Sequence, residues 1–358
     1  MSSSLLHPSF TFNGLQFSEP ELKEFAEKLQ DDGADYEQKI GKFITQWLSD
    51  SLEIKVKTSG STGAPKKIIL QKKQMIASAQ ATGTFFKLGA STSALLCLPV
   101  NFIAGKMMLV RAMILGWDLH VVAPEKDALT QYDNEYDFAA MVPYQVFHTL
   151  DAIHKIKKLI IGGGAVSSEL RARLQAVPTE VFETYGMTET ITHIAVKRIN
   201  GLAASSVFSG LPDVKFSQDD RGCLVVNAPS ISEVPVITND IVALKTPTQF
   251  NWLGRFDNVI NSGGYKLHPE IIEAKLSKMI DRPFVIIGEK DATLGERAVL
   301  IFEAPNTAQL PNYSEAFASL DPYERPKKVY TLSKFPHTET GKIKRADVKN
   351  IFKTLYAH

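Results

Sequence analysis

Leu52-Glu53-Ile54-Lys55-Val56-Lys57-Thr58-Ser59-Gly60-Ser61-Thr62-Gly63-Ala64-Pro65-Lys66-Lys67-Ile68-Ile69-Leu70 is the stretch on which the reading of this 358-residue chain turns. Leu52, Ile54 and Val56 alternate with charged residues, the period of a half-buried strand, and Ile68-Ile69-Leu70 reads as a second strand. Between them, Gly60 and Gly63 permit the tight turns that bring N–H groups against an anion. The hydroxyls of Thr58, Ser59, Ser61 and Thr62 add donors, and Lys66 adds a point charge. That is the chemistry of a polyphosphate cradle. The spacing is not G-x-x-x-x-G-K-[ST], because Pro65 stands where the second glycine would be, and the loop joins two strands instead of opening a helix.

Upstream, Ser18 caps an expected helix with Pro20 in its first turn, and Tyr36 to Trp47 reads as another. Downstream, helical runs (Met75 to Phe86, Ile103 to Leu115, Tyr144 to His154, Ser168 to Leu174) alternate with strand-like runs at Ala94 to Leu98, Leu119 to Val122, Phe138 to Val142 and Leu159 to Ile161. This alternation predicts an α/β fold with a mostly parallel, covered sheet. Short β-like segments follow from Val196 to Val242. From about Arg255 a helix (Pro269 to Met279), strands near Phe284 to Ile287 and Arg297 to Phe302, and a basic tail helix predict a small α+β domain. The expected division is 1–256 and 257–358.

Composition narrows the function classes. Hydrophobic residues make up 44% and the formal net charge is +1, which suits a soluble globular protein and gives no footprint for nucleic acid. No apolar run is long enough to span a bilayer, and the start lacks the pattern of a secretory signal. Cys97 and Cys223 lie in apolar runs, as expected of buried thiols in a cytoplasmic protein.

Further motifs stand in a fixed order: Gly162-Gly163-Gly164, Tyr185-Gly186-Met187-Thr188-Glu189-Thr190, Thr238-Asn239-Asp240, Gly254-Arg255-Phe256-Asp257, Ser262-Gly263-Gly264-Tyr265-Lys266, and Pro336-His337-Thr338-Glu339-Thr340-Gly341-Lys342-Ile343-Lys344-Arg345. With the loop at Thr58 to Lys66, they resemble the adenylate-forming superfamily of acyl- and aryl-CoA ligases. The resemblance implies ATP, Mg²⁺ and coenzyme A as cofactor and co-substrates and a small carboxylic acid as substrate. It implies that Thr58, Ser59, Gly60, Ser61, Thr62, Gly63 and Lys66 hold the phosphates. Gly163, Gly164, Tyr185, Gly186, Asp240 and Arg255 would hold the AMP portion, with Tyr185 on adenine and Asp240 on the ribose. Thr188 would bond the α-phosphate, Glu189 would help hold the metal, and Lys342 would bridge the acid and the α-phosphate. Asp257 would be the interdomain hinge, and Gly263 and Gly264 would line the pantetheine path.

Two departures stand out: Asn239 replaces the family's glycine, and Phe102 stands where Pro-x-x-His-x-x-Gly has histidine. The 57 residues before the phosphate loop are few beside those of full-size members. With the Leu98 to Met108 segment, that shortness resembles short-form o-succinylbenzoate–CoA ligases of menaquinone biosynthesis. Such an acid carries a second carboxylate. Candidate partners are His148 and His193, then Lys106 and Arg111, which fit a solvated helix face equally well. Lys344 and Arg345 are expected to be solvated. A carrier-protein-loading enzyme and an inactive nucleotide-binding relative share these motifs, and the sequence leaves room for a homodimer.

Overall fold

The computed structural model describes residues 4–57, 67–305, 310–337 and 343–356. The expected phosphate loop (58–66) and Lys342 lie outside them. Strands Glu53–Lys57 and Lys67–Gln71, the arms of that loop, pair antiparallel as a separate two-stranded hairpin.

A 13-stranded sheet forms the body of the molecule. One limb is parallel, in the order Glu180–Gly186, Ile156–Ile161, Tyr136–Met141, Ser93–Leu96, Asp118–Val121 and Thr11–Phe12. Helices cross between these strands, so both faces are covered and the strands read as apolar runs. Helix Ile103–Leu115 is itself buried along most of its length. The other limb is antiparallel, running from His193–Arg198 through Phe208–Gly210, Gln249–Arg255, Val236–Thr246 and Cys223–Asn227 to Lys215–Gln218. The expected α/β class is correct, with a β-rich half beside the parallel one.

A five-stranded sheet follows from Ile260 to Leu332, and no ladder joins it to the first among the described residues. Period-two alternation builds a core on each of its faces. In Phe284–Asp291 and Gly295–Glu303, Ile286, Ala298, Leu300 and Phe302 face helix Pro269–Leu276, while Val285, Ile287, Val299 and Ile301 face helix Arg345–Tyr356. No helix of the described residues is long and apolar enough to cross a membrane.

Four expectations need correction. The helix expected from Tyr144 to His154 breaks into Pro143–His148 and a 3₁₀ segment, Leu150–Lys155. At the junction the Thr149 hydroxyl donates to the Gln145 carbonyl at 2.8 Å, the back-bonding that bends helices. The helix opening at Pro269 ends at Leu276, short of Met279. A hairpin at Thr11–Phe12 and Leu15–Gln16 was not expected; Asn13 and Gly14 turn it with φ of 49° and 77°. Arg345 is no solvated tail residue. Its guanidinium donates to both Glu273 oxygens at 2.7 and 2.6 Å and to the Ile286 carbonyl at 2.6 Å, clamping the tail helix to helix Pro269–Leu276.

Removing one partner of a covered ion pair strands the other, at about 3 kcal/mol. Arg345→Ala is therefore expected to lower the urea midpoint of unfolding, and Arg345→Lys to recover only part of it. Unchanged midpoints by fluorescence in both variants would refute the clamp.

Candidate active site

The expected nucleotide residues gather where the parallel strands end. Gly162 to Gly164 leave the end of Ile156–Ile161, with Gly163 at φ +76°, and a side chain on Gly162 would sit 2.5 Å from Thr184 Oγ1. The next strand delivers Tyr185 and Gly186. A side chain on Gly186 would lie 2.2 Å from the Thr192 carbonyl, so only glycine fits. Glu189 then stands exposed on a one-turn 3₁₀ segment, Thr188–Thr190.

Tyr185 and Asp240 meet directly. The phenol donates to Asp240 Oδ2 at 2.7 Å, and Trp252 Nε1 donates to Oδ1 at 3.2 Å. Arg255, cross-strand neighbour of Asp240, stands 3.7 Å from Oδ1. Burial, and then the Asp240 charge, push the Tyr185 phenol upward, so it stays a donor. Its ring is half-buried, edge-on to Phe250 at 5.1 Å. Asp240 is thus a buried carboxylate fixed from three sides.

The second cluster is buried more deeply. Arg111, on helix Ile103–Leu115, is 1% exposed, which excludes the solvated-face alternative. Its Nε donates to Thr82 Oγ1 at 3.3 Å, its Nη2 to His193 Nδ1 at 3.2 Å, and its Nη1 to Met108 Sδ at 3.7 Å. Guanidinium only donates, so Nδ1 accepts and the imidazole proton sits on Nε2, which faces Thr82 Oγ1 at 3.5 Å. The Thr82 hydroxyl passes its own proton to the Ser78 carbonyl at 3.0 Å. Burial, then Arg111, hold His193 well below its ordinary value and keep it neutral. Burial pushes Arg111 down to about 9. Every partner of this cation is neutral, and one is a weak thioether acceptor.

The remaining candidates divide. His148 is exposed and packs edge-on to Tyr144 at 4.6 Å, outside the Arg111 cluster. Lys106 lies over the Phe43 ring at 4.8 Å and is pushed by burial to about 8, so it too is not on a solvated face. Phe102 is the half-buried N-cap of the Arg111 helix. Asp257 is exposed and accepts from Asn239 at 3.3 Å and Arg255 at 3.4 Å. Gly263 and Gly264 turn an exposed hairpin with φ of 56° and 86°. Thr82 and Trp252 were not anticipated; neither lies in a motif, and only packing brings them in.

Among the described residues no three potential metal ligands cluster. One free carboxylate at Glu189 fits magnesium, which takes few protein ligands and completes its shell with phosphate oxygens and water.

The sequence profile of the AMP-binding enzyme family matches residues 27–217. A Mycobacterium tuberculosis protein described as a probable 2-succinylbenzoate–CoA ligase is 26% identical over 340 residues, 85% of this chain and 85% of that protein. The fold is similar to that of an acyl-CoA synthetase (AMP-forming)/AMP-acid ligase II-like protein from Dyadobacter fermentans. That protein is 35% identical, with a TM-score of 0.62 over 92% of this chain and 98% of its own. It is also similar to O-succinylbenzoate coenzyme A synthetase from Bacillus subtilis in complex with ATP and magnesium ion. There the identity is 19% and the TM-score 0.70, over 92% and 82% of the two chains, a likeness of fold.

His193 makes a pH prediction with a definite sign. Its folded value lies below the ordinary 6.5, so the unfolded chain binds the extra proton. Its contribution to stability is full above about pH 6.5 and shrinks as the pH falls below that value. Urea midpoints at pH 7.5 and 5.5 should therefore fall less for His193→Gln than for the unsubstituted protein. An equal fall in both would contradict the buried, neutral imidazole.

Proposed function

We propose that this chain, which belongs to the AMP-binding enzyme family, is an ATP-dependent, AMP-forming acid–coenzyme A ligase, and that its acid is 2-succinylbenzoate. The observation that carries the choice of acid is Arg111: a fully buried cation whose partners are all neutral. A buried charge needs a partner, and an acid with two carboxylates supplies one at its non-reacting end. The name of the M. tuberculosis relative supports the same acid.

In this reading ATP lies across the ends of the parallel strands, with adenine against Tyr185 and the ribose hydroxyls on Asp240. Magnesium supplies charge neutralisation at the phosphates, and Glu189 is the residue that would hold it. Thr188 bonds the α-phosphate, and the hydroxyls of residues 58–66 with Lys66 would bind the β- and γ-phosphates. Arg111 and His193 hold the distal carboxylate, which aims the other carboxylate at the α-phosphorus. A carboxylate oxygen bonds to that phosphorus as the bond to the bridging oxygen breaks, and pyrophosphate leaves. Lys342 sits between the two anions. The contribution is positioning and electrostatics, with no protein nucleophile. Residues from Asp257 onward then turn to bring Gly263 and Gly264 to coenzyme A. Its thiol attacks the acyl carbon, and AMP departs. The buried thiols of Cys97 and Cys223 stay outside the chemistry and suit a reducing cytoplasm.

The test is ATP–pyrophosphate exchange with a panel of acids, followed by thioester formation with free coenzyme A. 2-Succinylbenzoate should outperform benzoate and medium-chain fatty acids by kcat/KM, because an alkyl chain leaves the Arg111 donors unpaired. Arg111→Met should raise KM for 2-succinylbenzoate about 10- to 100-fold while leaving that for ATP near its original value. A better monocarboxylic substrate would remove the proposed acid.

Lys342→Ala should abolish exchange yet leave thioester formation from preformed acyl-adenylate within about threefold. Equal loss of both half-reactions would remove that lysine's assignment.

A further inference from the structure

The six residues between strands Glu180–Gly186 and His193–Arg198 do more than connect them. Ile191 has φ of 64° and ψ of −61°, a region that a β-branched residue avoids. The Thr192 amide closes the turn onto the Thr190 carbonyl at 2.7 Å. Ile191 is 1% exposed, its side chain locked in the main core, so packing holds a backbone that local preference would release. The Thr190 hydroxyl, itself 1% exposed, accepts the Met187 N–H at 3.0 Å and donates to the Thr192 carbonyl at 2.9 Å, with the Met187 carbonyl at 3.1 Å as alternative acceptor. One oxygen thus ties the first residue of the loop to the last. Beneath it, Gly186 lets the Thr192 carbonyl approach closer than any side chain would allow. The ladder starts at His193 opposite Gly186 and is irregular between His193 and Ala195, so the knotted loop runs directly into a bulge that begins at His193.

We propose that Thr190, with the strained turn at Ile191, is a positioning element that fixes Glu189 relative to His193 and so sets the span between the metal contact at the phosphates and the distal-carboxylate contact of the acid. This rests on the roles of Glu189 and His193 proposed above. Glu189 stands two residues before Ile191, exposed; His193 stands two residues after it, buried against Arg111. An acid held at its far end reaches the α-phosphorus only if both contacts keep their separation. A small misplacement of reacting groups is costly even when the substituted residue touches no substrate.

The experiment compares Thr190→Val, Thr190→Ser and Ile191→Gly with the unsubstituted enzyme. Acid KM, the Mg²⁺ activation constant in pyrophosphate exchange, and thioester formation from preformed acyl-adenylate are measured. Thr190→Val removes the hydroxyl at nearly constant shape. It should raise both the acid KM and the Mg²⁺ constant about tenfold or more while thioester formation stays within about twofold. Thr190→Ser restores the oxygen and should return both constants to within about threefold of the original. Ile191→Gly frees the backbone with the Thr190 hydroxyl in place, and should give the same paired rise even where Thr190→Val does not fold. Unmoved constants, a rise in only one of the two, or failure of serine to rescue would overturn the proposal. His193→Gln separates the layers. A raised acid KM there with unmoved constants in the Thr190 and Ile191 variants overturns the knot alone, whereas an unmoved acid KM in His193→Gln overturns the reading of the site and the knot with it.

Discussion

A desolvated guanidinium sets the terms for the rest of this molecule. Arg111 lies inside the layer between helix Ile103–Leu115 and the main sheet, and the residues it touches, Thr82, His193 and Met108, carry no charge. Burying an unpaired charge is unfavourable, so the surrounding core must hold the helix in place without help from that side chain. It does so with Met107, Met108, Leu109, Val110, Ala112 and Met113, all at or near zero exposure. Neutrality of His193 follows from the same constraint, since a second proton there would set imidazolium against guanidinium. On the reading proposed above, a ligand carboxylate would gain charge-assisted bonds here without first displacing a protein carboxylate.

Charge at the other end of the site is arranged in the opposite sense. Asp240 is buried but held by Tyr185, Trp252 and Arg255, which fixes its orientation. Glu189, by contrast, is exposed and without a partner among the described side-chain contacts. A free carboxylate beside polyphosphate would repel it, and a divalent cation between the two resolves the conflict.

How much of this was legible in the sequence depends on what each residue's neighbours had to be. Alternation of apolar runs with helical runs gave away the parallel limb, because covered parallel strands write themselves as uninterrupted hydrophobics. Tyr185, Asp240 and Arg255 were legible because they sit in ordered motifs, and the structure brings them together. The hairpin at Asn13-Gly14 was equally legible by turn chemistry, yet short strands beside a strongly helical stretch are easily overlooked. Arg345 and Arg111 were not legible as buried residues. Sequence weighs a lone arginine as solvated, and only the packing of distant elements, Glu273 for one and Thr82 with His193 for the other, determines otherwise. The strain at Ile191 has no sequence signal at all, since isoleucine is among the last residues expected at positive φ.

A seam lies between the two sheets, and the chain crosses it around Arg255 to Ile260. Among the described residues, Ser168 and Ser277 hydrogen-bond across it at 2.7 Å, and the Glu270 carboxylate lies close against Gly254. Glu270 Oε2 and His268 Nδ1 are buried there without partners. Opening the seam would return these unpaired polar atoms to water. Asn239 acts in the opposite direction. Where the family has glycine, its amide donates to Asp257 and its carbonyl oxygen accepts from Arg221 at 2.9 Å, while Arg221 lies over Phe256 at 5.1 Å. These exposed contacts are individually weak and easily exchanged for water. On the reading proposed above, in which Asp257 is the hinge, these contacts form a small polar latch that would bias a rotation without preventing it.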